Sequence, residues 1–174
     1  LKSWVERKYV FASFLLLPVF GQTALANDQV TISSKIPYLN ENVGSPNIQS
    51  KCTWNTTMPA ALVAQSKGTV VSTDQDMTTV AGKKLIITTT HVHAIGGGGF
   101  SGPKWIRIEG KLTEGDKLLG NFELRRTTNG GGFRFAACET LNYISKALTQ
   151  DVLKWLKNPQ IMAVPATAPE PEPA

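Results

Sequence analysis

Histidine and cysteine are scarce in this chain, with two of each among 174 residues, and that scarcity narrows its chemistry. Two histidines cannot complete a metal site without a third ligand from elsewhere. No nucleophile, base and acid stand at a recognisable catalytic spacing. No apolar run reaches the ~20 residues that a membrane-spanning helix needs. Lysine and arginine are scattered rather than gathered into the stripe that nucleic-acid binding requires, so nucleic acid is not an expected partner. The glycines Gly96 to Gly99 lack the Gly-x-x-x-x-Gly-Lys-Ser/Thr spacing of a phosphate loop, and they lead into a strand pattern rather than a helix.

What is present begins with an export signal. Basic residues in Leu1 to Lys8 precede an apolar run from Tyr9 to Phe20 and then Ala24-Leu25-Ala26. That order is the pattern of a secretory signal peptide over residues 1–26, with cleavage expected after Ala26. The alternative, a retained membrane anchor, needs a longer run, so no stable transmembrane anchor is expected after cleavage. No cysteine follows the run to carry a lipid. Leu1 in place of Met points to an alternative start codon or a truncated end. Cleavage would remove Lys2, Arg7, Lys8 and Glu6 and lower the formal charge of +5 by two. The remainder is the size of one domain. In the oxidising compartment that export implies, Cys52 and Cys138 are most simply a disulfide, with free or reactive thiols as the alternative.

The clearest pattern runs from Lys83 to Thr127. Ile106, Ile108, Gly110 and Leu112 alternate with Arg107, Glu109 and Lys111, the period of a half-buried strand. After the turn Glu114-Gly115-Asp116, Leu118, Gly120, Phe122 and Leu124 continue the same inner face. A turn centred on Gly115 would set Arg107 opposite Glu123 and Trp105 opposite Arg125, both favourable pairs. The β-branched run Leu85 to Ile95 reads as a central strand. Thr69 to Ser72 reads as a short one.

Residues 27–50 read as an extended arm with at most one short strand from Val30, Ile32 and Ile36. Met58 to Lys67 fits a short helix, with Pro59 in its first turn, Thr56 or Thr57 as cap and Gly68 past its end. At the other end, Cys138, Leu141, Ile144, Leu148, Val152 and Trp155 form one helical stripe, stopped at Asn158-Pro159. Residues 159–174 read as a solvated Pro/Ala/Glu tail. The expected fold is therefore α+β over residues 51–158. It is a two-layer sandwich with an antiparallel sheet of 3–4 strands, covered by a long C-terminal and a short N-terminal helix.

Two readings compete for function. In the first, the chain is a non-enzymatic periplasmic accessory or binding module. Its surface would comprise His93, the loop residues Gly96, Gly97, Gly98, Phe100, Ser101, Gly102, Pro103 and Lys104, and Trp105. It would meet an envelope protein or a small ligand and need no cofactor. In the second, His91 and His93, two apart on a strand and so on one face, hold zinc or copper in a metal-binding protein or metal-dependent hydrolase. Asp74, Asp76 or Glu109 would supply the third ligand.

The run His93-Ala94-Ile95-Gly96-Gly97-Gly98-Gly99-Phe100-Ser101-Gly102-Pro103-Lys104, with Cys138 opening a helix that ends Asp151-Val152-Leu153-Lys154-Trp155-Leu156, resembles a family of small uncharacterised exported proteins of Gram-negative bacteria. The resemblance spans about residues 51 to 159 and implies export, the two-cysteine framework and an envelope location, but no reaction. His93 falls on the shared motif and His91 outside it. The order of elements is also similar to small α/β domains of envelope assembly proteins, such as the amino-terminal domain of TolB or the curli secretion lipoprotein, a likeness of fold alone.

Overall fold

The computed structural model describes residues 29–94, 102–128 and 136–162. In chain order these form β1 (Val30–Ser33), α1 (Pro46–Lys51), α2 (Trp54–Gln65), β2 (Val70–Thr73), β3 (Lys83–His93), β4 (Trp105–Glu114), β5 (Lys117–Thr127) and α3 (Ala137–Leu156). The architecture is α+β. The sheet is larger than the expected three or four strands and is not purely antiparallel. It has five strands in the order β2-β1-β3-β4-β5, with β1 parallel to both of its neighbours. The reason lies in the connection: α1 and α2 carry the chain from the end of β1 back to the start of β2, and a helical crossover returns a strand parallel to the one it left. The one short strand allowed in the expected arm is β1, which lies inside the sheet rather than apart from it, and the arm's far end runs into the unexpected helix α1.

The helix before β2 also starts earlier than expected. Its N-cap is Thr53, not Thr56 or Thr57, which places Pro59 inside α2. Proline cannot donate to the carbonyl four residues back. That carbonyl, on Asn55, instead accepts from the Ile36 N–H at 2.8 Å, while the Asn55 side-chain amide donates to the Ile36 carbonyl at 3.3 Å. The bond missing from the helix thus fastens the segment after β1 to it. Asn55 itself is buried.

Both long helices lie on one face of the sheet. The stripe on α3 is buried at Leu141, Ile144, Leu148 and Val152, and α2 contributes Trp54, Met58 and Leu62. Against them the sheet presents Leu85, Ile87, Ile106, Ile108, Leu112 and Phe122. Three pairs join α2 and the Cys52 just before it to α3, at sequence separations of 86, 85 and 85 residues. Cys52 and Cys138 form a disulfide with Cα atoms 4.9 Å apart, Thr57 Oγ1 donates to Asn142 Oδ1 at 3.4 Å, and Gln150 donates to Gln65. The two helices therefore run parallel, with their N-termini at the disulfide and their C-termini together at the opposite end.

The β4–β5 hairpin keeps the expected faces but in a different register. The two-residue turn Gly115-Asp116 pairs Glu114 with Lys117, and Gly115 has φ +57°, the left-handed start that two-residue hairpins favour. A bulge then leaves Leu119 without a cross-strand partner, so that Leu112 pairs with Gly120, Gly110 with Phe122 and Ile108 with Leu124. The turn and the bulge each displace the register by one residue, and together they restore the original faces. Leu118, expected inside, is exposed at 38%, and Leu119 packs on the core in its place.

Candidate functional site

The face of the sheet away from the helices carries His91, His93 and Trp105 of the sequence-predicted residues. On β3, Leu85, Ile87 and Thr89 point into the core. A regular strand would send His91 and His93 the same way. A bulge between Thr89 and His91 reverses the alternation, so that Val92 is buried against Ile106 and both imidazoles stand on the open face. Thr89 is fixed there from its other edge: its N–H donates to the Pro37 carbonyl at 2.9 Å, and its carbonyl accepts from the Leu39 N–H at 2.9 Å.

Trp105 on β4 stands beside them. Its ring stacks on His91 at 4.1 Å between centroids and 14° between planes, with His93 further along at 5.8 Å and 13°. From β5, the Arg125 guanidinium lies 4.2 Å from the Trp105 ring centroid, and Arg107 reaches to 5.9 Å. Cation–aromatic contacts in this range are favourable. Arg107 also pairs with Glu123 at 3.3 Å. Both expected pairs, Trp105 with Arg125 and Arg107 with Glu123, are therefore present, but as diagonal contacts. In the observed register Trp105 is opposite Thr127, Arg107 opposite Arg125, and Glu109 opposite Glu123. Like charges face each other directly; Arg107 meets its opposite charge, Glu123, on the diagonal, while Arg125 meets the Trp105 ring.

One rim of this surface is Gly102 and Pro103, both exposed, followed by Lys104, which is buried. The Lys104 N–H donates to Thr128 Oγ1 at 3.1 Å and its carbonyl accepts from the Thr128 N–H at 2.8 Å, which closes the open ends of β4 and β5 together. Gly96, Gly97, Gly98, Phe100 and Ser101 of the expected surface lie outside the described residues. Sequence reasoning does not single out Arg125 as a site residue, although its pairing with Trp105 is a signal that could have done so. The stacking of His91 needs the position of the β3 bulge, which no residue pattern marks.

Among the described residues no group of three His, Cys, Asp or Glu is placed to hold a metal ion. Asp74 and Asp76 follow β2, two strands away from β3 in the sheet order. Asp74 accepts from the Ser34 hydroxyl. Asp76 accepts from the Thr78 N–H at 2.8 Å, and that bond holds its carboxyl below the usual range. Glu109 shares the open face, paired with Thr88 and Glu123. No helix among the described residues is long and apolar enough to cross a membrane.

No protein-family model matches the chain, and no curated protein matches it. Among solved structures it is similar to an uncharacterised protein at 15% identity and a TM-score of 0.49, over 74% of this chain and 92% of the other. It is similar to PelC, solved as a dodecamer from Paraburkholderia phytofirmans, at 16% identity and a TM-score of 0.48, over 75% and 89%. It is also similar to a protein of the DUF330 family from Xanthomonas campestris, at 10% identity and a TM-score of 0.43, over 74% and 82%. Likenesses at this level carry no functional information.

Proposed function

We propose that this chain is a non-enzymatic binding module of the bacterial envelope, working through the open face of the sheet around Trp105. The observation that carries the reading is the stack His91–Trp105–Arg125, built from three adjacent strands on the face that none of the described helices covers. Side chains held in one arrangement before binding lose less freedom when a partner arrives. Tryptophan and arginine are also the residue types that most often dominate binding energy. Arg107, Glu109, Glu123 and Arg125 place charges of both signs around the ring, which suits an envelope protein with its own mixed polar rim. The export signal expected from the sequence and the Cys52–Cys138 bond support the compartment, since disulfides persist where conditions are oxidising.

The test compares two faces of the same molecule in cells. A photo-crosslinking amino acid replaces exposed Glu109 on the open face or Tyr143, 72% exposed on α3. A discrete adduct is expected from the Glu109 position, lost when Trp105→Ala is added, and none from Tyr143. Equal adducts from both faces, or an adduct indifferent to Trp105→Ala, would sink the reading.

A further inference from the structure

At the end of the sandwich opposite the disulfide, the C-termini of α2 and α3 and the sheet enclose a cleft of about 850 Å³, within the range of small-molecule sites. Its apolar wall comes from Leu112 and Leu119 of the sheet and Leu153 and Leu156 of α3. Its rim carries Lys67, Lys154 and Lys157, all exposed and without an ion pair among the described residues. The one carboxylate in the lining, Asp151, is already bound at both oxygens by Arg126, at 2.6 and 2.5 Å.

Part of this charge has a structural explanation. Two helix C-termini meet here, and each carries roughly −0.5 of a charge, about −1 together. Lys67, Lys154 and Lys157 exceed that by about two positive charges, and the lining holds a fourth lysine, Lys83. The conformation of Lys67 points the same way. It follows the α2 C-cap Ser66 with φ +55°, at the position where helices favour glycine because a side chain there strains the backbone. A glycine stands one residue later, at Gly68. Strain held at a cleft rim is a pointer to function, and what this residue adds over glycine is a cation.

We infer that the cleft binds a single-chain anionic amphiphile, a long-chain fatty acid, with its tail along Leu112, Leu119, Leu153 and Leu156 and its carboxylate at Lys67, Lys154 and Lys157. This site is on the helix side of the sheet and does not depend on the open face.

The test is calorimetric titration of the purified protein with fatty acids from octanoate to myristate. Affinity is expected to rise by about fourfold per methylene until the cleft is filled, the factor for burying one such group. Dodecyltrimethylammonium, with the chain of laurate and the opposite charge, is expected to bind at least about tenfold more weakly. Lys154→Ala with Lys157→Ala, both at exposed positions, should weaken laurate by about tenfold. Lys67→Gly separates function from folding: melting should rise by about 2–4 °C through relief of strain, while laurate affinity falls by about threefold. Laurate without measurable binding, binding unchanged in the lysine variants, or dodecanol binding as tightly as laurate would each overturn the assignment.

Discussion

A methyl group on Gly110 would stand 2.2 Å from Cζ of Phe122 and 2.4 Å from Cε1, because the far end of the phenyl ring occupies that space across from the glycine on the neighbouring strand. Phe122 is 3% exposed and meets Trp155 of α3 edge-on at 4.9 Å, so the ring cannot move aside without disturbing the helix contact. Gly110→Ala is therefore expected to destabilise the fold by about 1–3 kcal/mol, the usual cost of overpacking a core, read as a shift of the urea midpoint at unchanged slope. A midpoint within error of wild type would show that the ring is free to shift. The alternation of Trp105 to Leu112 marks Gly110 as inward, but not as the seat of an aromatic ring. That role depends on the register with β5, which in turn depends on the Leu119 bulge. The candidate site is more legible at this scale. Trp105 and His93 stand out in the sequence as surface residues, and Arg125 and Glu123 as cross-strand neighbours of Trp105 and Arg107. Cross-strand contacts survive a two-residue slip as diagonals, because the slip keeps every side chain on its face.

Elements whose character depends on distant partners are the least legible. β1 and β2 have four residues each, too few for alternation to reveal what they pair with, and the parallel half of the sheet follows from that pairing. Asn121 is a second case. By alternation it is an outward polar residue, yet it is 9% exposed. Its side chain accepts from the Met162 N–H at 2.7 Å and donates to the Met162 carbonyl at 3.0 Å, while its own N–H donates to the Gln160 carbonyl at 3.0 Å. The segment after α3 thereby runs along β5 and covers part of an edge that would otherwise present unpaired backbone. Nothing near Asn121 in sequence announces a partner 41 residues on. Asn121→Ala should remove the two side-chain bonds and cost about 1–2 kcal/mol. By hydrogen exchange, the Met162 amide should lose protection while β4 keeps its own. Unchanged protection at Met162 would mean that the Gln160 contact alone holds the segment to the edge.

Across the whole molecule, the parallel alignment of α2 and α3 sets like ends of two helix dipoles side by side, an unfavourable arrangement that apolar burial and cross-helix bonds must offset. Cys52, at the C-cap of α1, and Cys138, in the first turn of α3, tie the two helices at their N-terminal ends. The bond spans a sequence separation of 86 residues, and the chain-entropy model assigns a closed loop of that length about 4–5 kcal/mol. The loop includes β2, β3, β4 and β5, so the constraint acts on most of the unfolded chain rather than on one corner of the native one. Replacing both cysteines by alanine should lower the melting temperature by roughly 10–20 °C for a chain of this size, with reduction of the wild-type protein producing a similar fall. The loss should appear as one cooperative transition, because Trp54, Leu141 and the inner strand residues share a single core. A fall of only a few degrees would place the hold between the helices in their apolar contact. Separate melting of α3 ahead of the sheet would mean that the disulfide stabilises the native helix pair locally rather than restricting the unfolded chain.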